Sequence, residues 1–287
     1  MEAAFAEFPL ALFTTLAPVG AGTYIALALA FATGTFSDEQ LKKADKMTVI
    51  PFIVALVGFI CSIFHVANPV HAFGIFSGIG SSPLTNEVVV GIVFMVVAFV
   101  YTVLALAGKL GGARKAFSIV VAILAVVFAI FVGMAYLIPT VSSWNSFLVP
   151  VQILGFSLLG GAALGALVLA LAKAAEPEQL ASYGKSLFAL VIVGAVLAIA
   201  GVVIHLVMVA GSGNAVMTGA GVVAGAAPFA VIGLVLLVIA VIELARGVKK
   251  GLTVGIAARA TVESLVGVLL ARLAFYALFL SIGVTML

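Results

Sequence analysis

Cysteine is almost missing: Cys61 is the single thiol in 287 residues. One thiol excludes a disulfide framework within the chain, and it excludes an iron–sulfur cluster held by this chain alone, which takes four ligands. Charge is equally scarce, at 8% of residues, and histidine occurs three times, as His65, His71 and His205. Three histidines are too few suitably placed ligands for a two-haem electron wire. One haem between His65 and His205 is the option that count leaves, and the expectation is a chain without haem. A P-loop, a dinucleotide-binding glycine fingerprint and a nucleophile elbow are also missing. What fills the chain is hydrocarbon: 65% hydrophobic residues and a mean hydropathy of +1.42 place it among integral membrane proteins rather than soluble domains. The net charge of +3 comes from basic residues in short loops. Such residues report orientation in a membrane, not a nucleic-acid partner.

Eight apolar runs lie near 8–31, 47–66, 86–107, 116–138, 147–171, 184–210, 222–245 and 262–286. Each is close to the roughly 20 residues that cross about 30 Å of hydrocarbon as a helix. Helices rather than strands follow, because a lone spanning segment must satisfy its own backbone hydrogen bonds in lipid. The expectation is an all-α, eight-span polytopic domain over 1–287. The first run is flanked by Glu2 and Glu7 with no basic residue, unlike a cleavable signal. Lys42, Lys43, Lys46, Lys109, Arg114, Lys115, Lys173, Lys185, Arg246, Lys249, Lys250 and Arg259 all fall in or beside alternate loops. Basic loops stay cytoplasmic, so both termini and the loop holding His71 are expected outside. IFHV near the end of the second run echoes VIHLV in the sixth, which suggests two parallel four-helix halves.

The expected outer side gathers scarce groups. His65 closes the second run, Glu87 opens the third, and His205 lies in the outer part of the sixth. Ionisable groups at membrane depth are costly and mark proton paths, ion sites or ligand sites. A quinol suits such a place, since its ring and tail are apolar while both hydroxyls lose protons as its electrons leave. Histidine can take a proton near neutral pH, and a carboxylate can relay it outward. A structural account competes with this one: His65 would cap the end of the second helix and Glu87 the start of the third, with Thr85 or Asn86 as N-cap. The residues alone leave that choice open.

Several stretches resemble one family. FHVANPVHAF (64–73) followed by SSPLTNE, the opening EFPLALFT and the late RLAFYA are similar to segments of the dimethyl sulfoxide reductase membrane-anchor family, the membrane subunit of a three-subunit molybdoenzyme. Val66 and Ala67 depart from the Leu-Gly expected there. The resemblance implies a menaquinol-oxidising subunit in the bacterial cytoplasmic membrane. It also implies partners docked on the outer face: a four-cluster iron–sulfur subunit and a molybdopterin catalytic subunit. It assigns quinol hydrogen bonding and proton transfer to His65 and Glu87. His71 and Arg272 are peripheral candidates for the quinol pocket.

Other residues carry simpler expectations. Arg272 sits well inside the eighth run, so it needs a partner, expected to be a carboxylate or carbonyls on another helix. Glu243 and Arg246 read as an interfacial pair. GAALG (161–165) and GVVAG (221–225) have the small-residue spacing of close helix packing. Tyr136 and Trp144 fit an aromatic belt, and Trp144 could touch a docked subunit. Two rivals stand beside the quinol-oxidising anchor: a small transporter using His65, Glu87 and Arg272, and a purely structural anchor.

Overall fold

A computed structural model describes residues 5–64, 74 and 76–281. Among them the chain is helical, with two isolated β-bridges and no sheet. The helices are α1 (Phe8–Thr33), α2 (Asp38–Met47), α3 (Val49–Ile63), α4 (Pro83–Leu106), α5 (Arg114–Met134), α6 (Leu148–Leu171), α7 (Pro177–Ala210), α8 (Gly219–Lys250) and α9 (Val254–Ala277). Only Thr48 separates α2 from α3, and Asp38–Ile63 serves as one span. With the other helices this makes eight segments long and apolar enough to cross a membrane.

Two of these helices form the centre. α1 and α6 are buried along almost their whole length and pack side by side. α3 and α5 lean on α1, and α4 on α5; α7 and α9 lean on α6, and α8 bridges them. The grouping is that of two four-helix halves meeting at α1 and α6. Glycine makes the central approach possible. A Cβ on Gly161 would overlap the backbone of Gly22, and one on Gly22 would overlap the Ser157 carbonyl. The small-residue reading of GAALG therefore holds. GVVAG differs: a Cβ on Gly225 would meet nothing within 4 Å. That stretch instead lines an apolar cleft of about 460 Å³ with Met217, Ala277 and Phe279.

Helix ends depart from the apolar runs where capping chemistry extends or cuts them. α4 begins three residues before the expected 86, because Ser82 accepts from the Thr85 amide as its N-cap and Pro83 occupies the first turn. Asn86, expected as a cap, accepts instead from the Gly80 amide and secures the preceding turn. α9 begins at Val254, where the Thr253 hydroxyl accepts from the Ile256 amide, and ends at Ala277 rather than near 286. Arg272 consequently lies five residues from the end of its helix, not near the middle. α5 stops at Met134, which leaves Tyr136 in the connection that follows.

At the end of the bundle rich in basic loops, α2 lies as a short amphipathic helix closed by a Ser37–Gln40 capping box. Its Asp45 is buried and takes two hydrogen bonds from Arg114, Nε to Oδ1 at 2.8 Å and Nη2 to Oδ2 at 2.7 Å. This fork ties the second span to α5. Removing one partner of a buried pair leaves an uncompensated charge. Asp45→Ala is expected to cost about 3 kcal/mol, read as a lowered thermal midpoint in detergent. A loss well under 1 kcal/mol would mean that water screens the pair. Glu243, at the same end, pairs with Arg259 of the next helix at 3.1 Å and not with Arg246. Crossing between helices α8 and α9 gives the shorter reach.

Candidate functional site

Of the thirteen basic residues, twelve fall in or beside the basic connections between spans, and Arg272 is the exception. Its side chain is fully buried at the opposite end of the bundle. No carboxylate oxygen among the described residues lies within 4.0 Å of it. Its partners are hydroxyls and rings. Nε donates to Thr14 Oγ1 at 2.9 Å, and Nη2 donates to the Tyr276 hydroxyl at 3.3 Å. The guanidinium lies 4.1 Å from the ring centre of Phe275, 4.9 Å from Tyr136 and 5.0 Å from Tyr276, an aromatic box suited to a cation. Nη1 has no hydrogen-bond partner among the described residues.

Each wall of this box has a local cause. Phe275 and Tyr276 follow Arg272 by three and four residues, which places all of them on one face of α9. Thr14 comes from α1; its hydroxyl accepts from Arg272 and donates to the Leu10 carbonyl at 2.8 Å. Pro18 has no N–H, so the Thr14 carbonyl lacks its usual helical donor. Tyr136 reaches in from the connection after α5, and its hydroxyl is hydrogen-bonded to that of Tyr276. Trp144 stacks on Phe275 with ring centres 5.4 Å apart, and its indole N–H donates to the Phe275 carbonyl at 3.2 Å. Both Tyr136 and Trp144 are buried. They form an internal aromatic cluster and not a lipid-facing belt, because their connection folds back onto the end of α9.

Glu87 completes the arrangement. It is the fifth residue of α4, one turn past the cap, so it does not cap the helix itself. Its carboxylate is buried, its Oε1 has no hydrogen-bond partner among the described residues, and it lies within electrostatic reach of Arg272 and Tyr136. His65 and His71 lie outside the described residues; the last described turn of the second span, Ile63 and Phe64, leads to them. Three of the stretches singled out in the sequence thus converge: EFPLALFT supplies Thr14, SSPLTNE supplies Glu87, and RLAFYA supplies Arg272, Phe275 and Tyr276. Thr14, Tyr136 and Tyr276 were not expected as site residues. For Tyr276 the three-and-four spacing after Arg272 was a usable signal; for the others the sequence carried none.

His205 is buried but separate in chemistry. One ring nitrogen bonds the Ser143 carbonyl at 2.7 Å, and the other faces Gln152 Nε2 at 3.0 Å. A neutral ring with its proton on Nε2 satisfies both partners. Neither nitrogen is left for an iron, so the residues present do not fit a haem ligated there. Among the described residues no group of three or more His, Cys, Asp or Glu is placed to hold a metal ion.

An eight-span helical bundle with a buried carboxylate and guanidinium near one end is a multi-pass membrane protein with a polar site set in an apolar wall. The chain belongs to the DMSO reductase anchor subunit (DmsC) family, whose model matches residues 1–278. It is similar to a chain of the anaerobic dimethyl sulfoxide reductase of Escherichia coli (strain K12), 33% identical over 174 residues, or 60% of this chain and 61% of that one. A chain of the same-named reductase of Haemophilus influenzae (strain ATCC 51907 / DSM 11121 / KW20 / Rd) is 29% identical over 168 residues, 57% of this chain and 59% of that one. The YnfH chain, also named for an anaerobic dimethyl sulfoxide reductase of Escherichia coli (strain K12), is 29% identical over 200 residues, 69% of this chain and 67% of that one. The matches to the first two relatives thus span about three fifths of their length, whereas the family model runs along nearly the whole chain. Its role as a membrane anchor follows from that family.

Proposed function

We propose that this chain is the quinol-oxidising anchor of a membrane reductase complex in the bacterial cytoplasmic membrane, with both termini on the outer side. The observation that carries the reading is Glu87: a buried carboxylate with an unpartnered oxygen, one turn into α4 and in the field of Arg272. A buried carboxylate oxygen without a hydrogen-bond partner is costly and asks for a ligand or a proton. A quinol head group suits it. Menaquinol is the substrate the family association favours; His65 hydrogen-bonds and deprotonates it, Glu87 relays the proton outward, and His71 and Arg272 border the pocket.

Oxidation releases two protons and two electrons from each quinol. With a single cysteine the chain cannot hold an iron–sulfur cluster by itself. The electrons therefore pass to a partner iron–sulfur subunit, and from it to a molybdopterin catalytic subunit, both on the outer face. The relatives are named as chains of a dimethyl sulfoxide reductase, so a sulfoxide or a related organic oxide is the fitting terminal acceptor. Membership of an anchor family favours this reading over the transporter.

The test is quinol-dependent reduction by the purified complex carrying His65→Ala or Glu87→Gln, with subunit content checked. Activity that stays at the parent level in both variants would refute the proton-transfer roles. A purified complex without iron–sulfur and molybdenum partners would refute the anchor reading itself.

A further inference from the structure

A quinol has two hydroxyls, and His65 with a single relay accounts for one contact. Among the described residues the structure holds a second, complementary pair of unmet groups: the donor Nη1 of Arg272 and the acceptor Oε1 of Glu87. Both side chains are more than nine-tenths buried, at 0% and 5% exposure. They interact electrostatically, yet no nitrogen of one lies within 4.0 Å of an oxygen of the other. An unmet buried donor and an unmet buried acceptor are the two kinds of partner that a hydroxyl takes, since it accepts at its oxygen and donates its proton.

We propose, resting on the quinol reading above, that Arg272 and Glu87 together bind one quinol hydroxyl, and that Tyr276, Tyr136 and Thr14 are positioning residues that aim the guanidinium. The O–H bond breaks with its proton passing to Glu87 Oε1, and the bonding electron pair stays on the quinol oxygen. The Nη1–H group of Arg272 stabilises the negative charge that builds there. The proton of the other hydroxyl follows outward through Glu87 once that carboxylate has discharged the first, and the two electrons leave one at a time to two oxidised one-electron iron–sulfur centres of the partner. Quinone, two protons and two reduced one-electron centres balance the reaction.

The surrounding shell explains why the guanidinium is free to do this. A buried arginine that served packing alone would close its fork on a carboxylate or give way to an apolar residue. Here Thr14 holds Nε, Tyr276 holds Nη2, and the Phe275 ring fixes the plane. Tyr136 in turn holds the Tyr276 hydroxyl. Every contact restrains the group, and none uses Nη1. Preorganised donors aimed at developing charge are the large terms in catalysis.

The experiment uses the intact complex with 1,4-naphthoquinol as donor, and reduced viologen dye as a donor that bypasses the quinol site. Arg272→Lys keeps the charge but loses the fork, and kcat with naphthoquinol is expected to fall about 100-fold. Tyr276→Phe keeps the ring but releases Nη2, and kcat is expected to fall roughly tenfold with KM little changed. Viologen-driven activity stays at the parent level in both. Should Arg272→Lys fail to assemble, Tyr276→Phe and Tyr136→Phe decide. Parent-level kcat in Tyr276→Phe and in every assembled Arg272 variant, alongside a large loss in Glu87→Gln, would overturn this inference and leave the quinol reading standing; the pair then holds only water. Parent-level kcat in Glu87→Gln and His65→Ala would overturn both.

Discussion

Glu87→Gln is expected to leave the anchor in the membrane and its partners attached, while quinol-dependent turnover falls about 100-fold. The substitution conserves volume and hydrogen-bonding capacity and removes the ability to accept a proton. Because Glu87 is buried, no bulk water stands beside Oε1 to take over that task. The neighbouring guanidinium then faces a neutral amide, which adds a modest destabilisation without opening the bundle. Turnover driven by a viologen dye reports on the partner centres alone and should match the parent. Glu87→Asp is the graded control. It keeps the acid but withdraws it by one methylene, so its activity should lie between those of the parent and the amide.

A second large effect is expected far from any charge. Gly161→Leu should abolish accumulation of the anchor in the membrane, since a side chain there has no space before the backbone of Gly22. Overpacking ordinarily costs about 1–3 kcal/mol, and a crossing in which backbone meets backbone lies at or beyond the top of that range, at about 3 kcal/mol. The contact joins α1 to α6, the two most buried helices, so little of the bundle can adjust around it. Gly225→Leu is the matched control. Nothing lies within 4 Å of its missing Cβ, and membrane levels should stay near those of the parent. Equal loss in both variants would mean that the cleft beside Gly225 is filled in the assembled protein.

That pair of glycine motifs marks how far the sequence could be read. Spans were legible because length and hydropathy are properties of single segments, and the eight crossings follow from them. Which face of a segment meets a neighbour is a property of the assembly. GAALG and GVVAG have identical spacing, and only one is buried against another helix. Helix ends moved where polar caps carried a helix past its apolar run: Thr253 starts α9 eight residues before the expected 262. That shift relocated Arg272 toward one end of the bundle.

The site was legible in part. Glu87 and Arg272 stood out because buried charge is expensive wherever it occurs in a span. Their surroundings did not, since Thr14 and Arg272 are 258 positions apart and Tyr136 and Tyr276 are 140 apart. Tyr136 and Trp144 illustrate the ambiguity. An aromatic residue near a span end suits a lipid boundary and an internal cluster equally well, until the path of its loop is known.

Trp144 has one more consequence. It is the only tryptophan in the chain, and its ring stacks on Phe275, which in turn faces the Arg272 guanidinium. Indole emission responds to nearby charge and to ring contacts, so the molecule carries its own optical gauge two side chains away from the proposed head-group contact. The difference in emission between the parent complex and Trp144→Phe isolates that signal from the tryptophans of other subunits. Titrating the pocket then needs no attached dye.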